Sequence, residues 1–155
     1  MDYKTNITLT PLRYPKRIFL AFGLYIGLVM IGYFLLCYFL GVIHISYLRA
    51  FNFFILAAGA YGSMRQFRLT HGHHVNYFRA AAMGIASSFI GVTIFIIFFF
   101  ILLKIDGPLF TSVVTHEPLG GFLNIYAVTA VIWIEGIFAG TMATYMVINV
   151  IKTDS

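Results

Sequence analysis

The chain alternates four long apolar runs with short polar segments. The apolar runs cover residues 18–43, 47–64, 80–103 and 121–151, and most charged residues lie outside them. About 20 consecutive apolar residues are enough to cross the hydrocarbon core of a bilayer as an α-helix. The pattern predicts an all-α integral membrane protein, in which a single domain over residues 1–155 forms a transmembrane four-helix bundle.

The segment between the third and fourth runs, residues 104–120, carries a turn signal and a short apolar stretch. Asp106, Gly107 and Pro108 favour a turn, while residues 109–114 are mildly apolar. We expect this segment to be a loop whose apolar part lies on the membrane surface.

The basic residues are distributed unequally between the two sides of the membrane that this pattern predicts. Arg49 and Lys104 fall on one side. The other side carries the remaining Lys and Arg residues: Lys4, Arg13, Lys16, Arg17, Arg65, Arg68, Arg79 and Lys152. Because short cytoplasmic loops are enriched in Lys and Arg, both termini of this multi-pass membrane protein are predicted to be cytoplasmic.

The composition excludes a soluble globular protein. Hydrophobic residues make up 61% of the chain and charged residues only 10%, whereas about a quarter of the residues of a soluble protein are charged. The formal net charge of +5 comes from residues that flank the apolar runs, where they set topology and contact lipid headgroups. The expected partner is therefore the lipid bilayer and not nucleic acid. The single cysteine, Cys37, excludes an intramolecular disulfide and a cysteine-based metal cage.

Small residues recur at helical spacing in the third and fourth apolar runs. Such residues let membrane helices approach closely, where lipid offers no hydrophobic drive for association. We expect the third and fourth spans to pack along one set of residues, with Gly84, Ser88 and Gly91 facing Gly136, Gly140 and Thr144. Lipid contact is expected instead at the bulky far half of the third span, at Phe95, Phe98, Phe99 and Phe100.

Glu135 is the only acidic or basic residue in the last apolar run. A carboxylate at the centre of a membrane helix costs about 2.5 to 3.5 kcal/mol on insertion scales and is commonly tied to function. Three interpretations are open: an ion pair within the bundle, a protonatable site in a transport pathway, and a contact to another subunit.

Arg49 and Asn52 make the second run the most polar of the four. At about 1.5 Å per residue, Arg49 lies about 25 Å from the predicted inner boundary, and Glu135 lies at a similar depth in the fourth span. We therefore predict that Glu135 pairs with Arg49. Asn52, one turn deeper, is expected to supply a further hydrogen bond.

His71, His73 and His74 are the candidates for metal binding, since imidazoles at this spacing can bind zinc or copper. The segment that contains them, residues 65–79, has no carboxylate or cysteine, and its three arginines repel a cation. A solvated or lipid-facing loop is therefore favoured over a metal site, and no cofactor is expected. The chain also contains no nucleophile elbow, zinc-protease or phosphate-loop signature, so no enzymatic activity is expected.

Two stretches around the second polar segment carry a resemblance to a known family. Residues 61–68 read Tyr-Gly-Ser-Met-Arg-Gln-Phe-Arg, and residues 76–80 read Asn-Tyr-Phe-Arg-Ala before a span that contains Gly84. This arrangement resembles a bacterial four-span family catalogued as domain of unknown function four-one-nine-nine. The resemblance covers most of the chain and implies a four-helix membrane fold of about this length, in a multi-pass protein of the bacterial inner membrane. It implies no activity, because the family has no established catalytic residues.

Two functions are compatible with these features. The first is a small structural or accessory membrane protein, an oligomer or a subunit of a membrane complex, as the small-residue faces and the lack of soluble mass indicate. The alternative is a small transporter or proton-coupled carrier that uses Glu135, Arg49 and Asn52. A water-accessible cavity lined by these three side chains would favour transport, whereas a site sealed by Phe, Ile and Gly would favour a scaffold.

Overall fold

The computed structural model describes residues 15–41, 46–71, 77–115 and 124–153. These residues form α1 (Pro15–Phe39), α2 (Ser46–His71), α3 (Tyr77–Ile105), α4 (Gly107–Thr115) and α5 (Ile125–Thr153). The all-α prediction is confirmed. The four long helices correspond to the four apolar runs, and α4 lies in the segment that was expected to be a loop.

Within the described ranges, three helices are long and apolar enough to cross a membrane: Arg17–Phe39 in α1, Tyr77–Ile105 in α3 and Ile125–Val150 in α5. Their mean hydropathies are 2.3, 2.7 and 1.6. These three helices mark the chain as a membrane protein, as its composition predicted. The remaining long helix, α2, is less apolar because it contains Arg49, Asn52 and a run of small residues.

The helix ends depend on capping groups, which a hydropathy pattern does not report. The Oδ1 atom of Asn124 accepts a hydrogen bond from the backbone N–H of Ala127 at 2.8 Å, and this cap fits the start of α5 at Ile125. Pro15 begins α1, where the first turn needs no backbone donor. Gly41 follows the end of α1 with a φ of +68°, a left-handed conformation that glycine adopts without steric cost.

The helix α4 replaces the loop that was expected around Asp106. The loop prediction is wrong because Asp106 acts as a helix cap: its Oδ1 atom accepts a hydrogen bond from the N–H of Leu109 at 3.1 Å. Proline is favoured in the first turn of a helix as well as in non-helical turns, so Pro108 is compatible with the start of α4. Leu109 is only 5% exposed and belongs to the main core, so α4 docks against the other helices.

Asp106 also connects α4 to α1. Tyr38, near the end of α1, donates a hydrogen bond from its hydroxyl group to Oδ2 of Asp106. This hydrogen bond, followed in importance by the one from the Leu109 N–H, lowers the pKa of Asp106 below its ordinary value. The ionised carboxylate therefore holds together one end of the fold, where α1 and α3 finish and α4 begins, which we call the α4 end.

The central helix of the fold is α3. It packs against α1, α2 and α5, and α2 also packs against α1 and α5. The main core is buried between these helices and comprises Ile26, Met30, Leu56, Val92, Phe95, Ile96, Phe99, Leu103, Leu109, Val128 and Ala143. Because α2 and α5 are neighbours, the helix that carries Asn52 lies beside the helix that carries Glu135.

Two close contacts between small residues join α3 to α5. A Cβ atom added to Gly84 would lie 2.7 Å from Cγ2 of Thr144, and one added to Gly140 would lie 2.7 Å from Cβ of Ser88. Real Cβ atoms do not approach other atoms so closely, so both positions need glycine for the observed helix separation. These are two of the contacts that the small-residue spacing predicted.

The other two glycines of that set have different neighbours. A Cβ atom added to Gly91 would lie 2.5 Å from Cγ2 of Ile26, so Gly91 faces α1, and its predicted contact with the last span is wrong. Gly136 packs on the side chain of Val92, at 2.7 Å from Cγ1 to an added Cβ atom. The small residues of α3 therefore serve two neighbours, α5 and α1, which follows from its central position.

The aromatic residues of α3 were expected to face lipid, and for two of them this is wrong. Phe95 and Phe99 are 5% and 3% exposed. The ring of Phe34 packs edge-on against both rings, at centroid distances of 6.0 and 5.3 Å. Hydropathy cannot separate the two environments, because the interior of a membrane protein and the lipid around it are both apolar.

Candidate functional site

A cavity of about 420 Å³ lies between the four long helices. Its volume is within the range of about 300 to 1,000 Å³ that is usual for small-ligand sites. The lining residues are Met30 from α1, Ala50, Asn52, Phe53 and Leu56 from α2, Val92, Phe95 and Ile96 from α3, and Ile132, Glu135, Gly136 and Ala139 from α5. Among these residues, only Asn52 and Glu135 have polar side chains.

The exposure of the lining residues shows where the cavity opens. Ala50 and Glu135 are exposed, whereas Met30, Leu56 and Val92 are buried. The exposed pair lies on α2 and α5, so the mouth is the cleft between these two helices. The buried residues form the floor, which is apolar.

A hydrogen bond on the opposite face of α5 agrees with the exposure of Glu135. The indole Nε1–H of Trp133 donates to Oγ1 of Thr93 on α3 at 3.2 Å. Residues two apart on a helix point about 200° away from each other. With Trp133 held against α3, Glu135 is turned away from that contact, in agreement with its exposure.

The cavity lies well inside the helices and not at their ends. At about 1.5 Å per residue, Asn52 lies about 9 Å from the start of α2, and Glu135 lies about 15 Å from the start of α5. Tyr126, in the first turn of α5, has its ring 5.6 Å from that of Phe100 near the end of α3, which places the start of α5 at the α4 end. Glu135 is therefore a carboxylate within a helix that can span a membrane, a position where ionisable groups are costly and usually functional.

Asn52 contributes a buried oxygen atom whose hydrogen-bonding capacity is unused. Its Oδ1 atom has no hydrogen-bond partner among the described residues, and the same is true of the buried Ser88 hydroxyl near Gly140. A buried acceptor left without a donor costs about 1 to 3 kcal/mol. Asn52 lines the cavity, so a molecule inside it is well placed to provide the missing donor.

Arg49, the predicted partner of Glu135, immediately precedes Ala50 at the mouth of the cavity. Its backbone belongs to α2, and its side chain lies outside the described part of the structure. Ala50 and Glu135 line one cavity, so the two helix segments lie side by side. The ion pair between Arg49 and Glu135 itself stays a prediction.

The histidine candidates fall at the other end of α2. His71 is its last residue, its side chain is outside the described part, and His73 and His74 lie in the segment 72–76, which is also outside it. Within the described ranges, no group of three or more His, Cys, Asp or Glu side chains is arranged to hold a metal ion. Cys37 is buried in α1.

Sequence reasoning identified the polar residues of this site but missed its apolar walls. Gly136 and Ala139 share a helical face with Ile132 and Glu135, and small side chains on that face leave space between α5 and its neighbours. The spacing of these residues was visible in the sequence. Of these residues, only Gly136 is predicted from the sequence as a close-packing position, because a small residue can serve a helix contact or a cavity alike.

Comparison of the chain with protein-family models, with curated proteins and with solved structures finds no match. The resemblance to the bacterial four-span family therefore stays a prediction. The cavity and its two polar residues are the features on which a functional proposal rests.

Proposed function

We propose that the chain crosses the bacterial inner membrane four times as a four-helix bundle, with both termini in the cytoplasm. The fourth span is α2, which has 26 residues against 25 in α1 and packs against the other three long helices. The excess of Lys and Arg on one side supports the orientation. The α4 end then faces away from the cytoplasm.

Cysteine labelling tests this topology at two exposed positions, Ser112 in α4 and Thr70 near the end of α2. In a Cys37→Ala background, Ser112→Cys is expected to react with a membrane-impermeant maleimide in intact spheroplasts. Thr70→Cys is expected to react only after the membrane has been permeabilised. Labelling of both positions from one side would contradict the proposed topology.

We further propose that the cavity is a solute-binding site and that the protein is a small carrier. The observation that supports this most directly is that two polar groups line one cavity. One is the carboxylate of Glu135, within a helix that can span a membrane, and the other is the buried Oδ1 atom of Asn52, which has no hydrogen-bond donor among the described residues. Intramembrane ionisable residues that line a cavity commonly mark a substrate or ion pathway.

A simple exchange would couple binding to movement. In the absence of solute, Glu135 pairs with Arg49, and a bound solute competes with Arg49 for the carboxylate. Loss of the ion pair changes which packing of α2 against α5 is most stable, so the solute shifts the population between two arrangements of the mouth. The carrier thereby opens its cavity alternately to the two sides of the membrane.

Ala139 provides a probe of this alternation, because it lines the cavity while the adjacent Phe138 is 68% exposed on the surface of α5. In proteoliposomes, Ala139→Cys is expected to react with a charged, impermeant methanethiosulfonate from either side of the membrane. Phe138→Cys, facing lipid, is expected to react from neither side. Reaction of Ala139→Cys from one side only, or from neither, would contradict the carrier proposal.

The second candidate function is the structural or accessory role, in an oligomer or as a subunit of a membrane complex. It is favoured by the exposure of Glu135 at the cleft between α2 and α5, because a neighbouring subunit would remove this carboxylate from lipid. Purification from native membranes in a gentle detergent tests it. A stoichiometric partner that cross-links to this cleft would support the accessory role. Neither role includes catalysis, a bound metal or a cofactor.

A further inference from the structure

We propose that the cavity binds an amphipathic organic cation, a protonated amine carried on a small apolar body. This inference names the ligand class of the solute site proposed above and rests on that site. Three features of the wall support it: the polar atoms, the aromatic rings and the charge.

The polar atoms that line the cavity call for a ligand that donates hydrogen bonds. The Oδ1 atom of Asn52 lacks a donor among the described residues. A carboxylate such as that of Glu135 accepts hydrogen bonds at two oxygens, so a ligand can bond to it beside another polar neighbour. A primary ammonium group has three N–H donors, enough to serve both side chains from one position.

The remaining wall suits the apolar part of such a ligand. The other lining residues are aliphatic or aromatic, and they include Phe53 and Phe95. Aromatic rings attract a cation held near their faces, and the attraction strengthens when the cation is removed from water. The volume of about 420 Å³ leaves space for a ring or a short alkyl chain attached to the nitrogen.

The charge of the lining residues disfavours anionic ligands of the same size. None of the residues identified as lining the cavity is a Lys, Arg or His, and one of them is a carboxylate. An anionic ligand that replaced Arg49 beside Glu135 would place like charges together at a site of low polarity, which is strongly unfavourable. Aminolipids are disfavoured for the same reason, because the phosphate that accompanies their amine would approach Glu135. We therefore infer a free amine and not a lipid headgroup.

Calorimetric titration of the purified full-length protein in detergent tests the ligand class. Phenethylamine, which is protonated at neutral pH, is expected to bind, and 3-phenylpropionate, of similar size and opposite charge, is not. The comparison uses the unaltered protein, so it holds even if a variant fails to fold. Equal binding of the two compounds, or no binding of phenethylamine, would overturn the proposal.

Variants locate the binding site. Glu135→Gln and Asn52→Leu are each expected to weaken phenethylamine binding at least tenfold. The matched control Asn149→Leu makes the same change as Asn52→Leu at a described position that does not line the cavity, and it is expected to leave the affinity within twofold. Weakening by this control as strong as that by the cavity variants would overturn the assignment.

Lipid composition separates a free amine from an aminolipid. In nanodiscs of phosphatidylcholine, with or without added phosphatidylethanolamine, phenethylamine is expected to bind with the same affinity. Competition by phosphatidylethanolamine would show that the site takes a lipid headgroup and would overturn the inference of a free amine.

The ligand class and the carrier role fail in different ways. If Ala139→Cys reacts from both sides of the membrane but phenethylamine does not bind, the ligand class is wrong and the carrier proposal stands. If phenethylamine binds but Ala139→Cys reacts from one side only, the ligand class stands and the carrier proposal is wrong.

Discussion

Replacement of Gly140 by leucine is expected to destabilise the protein by about 1 to 3 kcal/mol, the usual cost of overpacking a core. Gly140 is buried, and an added Cβ atom would lie 2.7 Å from Cβ of Ser88. The nearest atom, Cβ of Ser88, is bonded directly to the backbone of α3, so no side-chain rotation can move it away. A leucine side chain therefore forces α3 and α5 apart.

The matched control is Phe138→Leu, which changes a surface residue two positions away on the same helix. This control is expected to leave the thermal midpoint of unfolding in detergent nearly unchanged, and Gly140→Ala is expected to fall between the two. Equal tolerance of leucine at positions 138 and 140 would contradict the close packing of α3 on α5.

Exchange of either Glu135 or Arg49 for glutamine is expected to destabilise the protein, while the double replacement recovers much of the loss. Each single variant leaves one charge without its predicted counterion at a depth where the surroundings are apolar. The double variant removes both charges and keeps the polar amide groups. Coupling between contacting residues typically amounts to about 0.5 to 3 kcal/mol, which chemical unfolding in mixed micelles can resolve.

Arg65 supplies the control for this cycle, because it is an exposed arginine on the same helix, farther from the start of α2. Arg65→Gln combined with Glu135→Gln is expected to give additive losses. Simple additivity of Arg49→Gln and Glu135→Gln would instead show that these two residues do not interact.

Composition and periodicity predicted the membrane class and the long helices well, because apolar runs of this length have few other stable structures. They did not predict where every helix begins and ends. The residues that form the Asp106 cap also favour a turn, so the sequence predicts a loop where the structure has α4. Asp followed by Pro within the first turn is, however, also typical of a helix start.

The candidate site was predictable in its polar residues but not in its shape. Glu135 and Asn52 stood out because polar groups are rare in apolar runs, where they are usually functional. The cavity depends on how α2 rotates against α5 and on the smallness of Ala50, Gly136 and Ala139. Those rotations arise from contacts between distant residues, such as Gly91 with Ile26, which no local pattern contains.

Chemical modification of Glu135 in the unaltered protein tests most directly whether the cavity is a polar site reached by water. Proteoliposomes are treated in parallel with a water-soluble and a lipid-soluble carbodiimide, and the adducts are mapped by mass spectrometry, with Glu117 as a carboxylate predicted to lie outside the membrane. Glu135 is expected to react with the water-soluble reagent, and phenethylamine is expected to slow this reaction. Modification of Glu135 by the lipid-soluble reagent alone would contradict a solute site at Asn52 and Glu135.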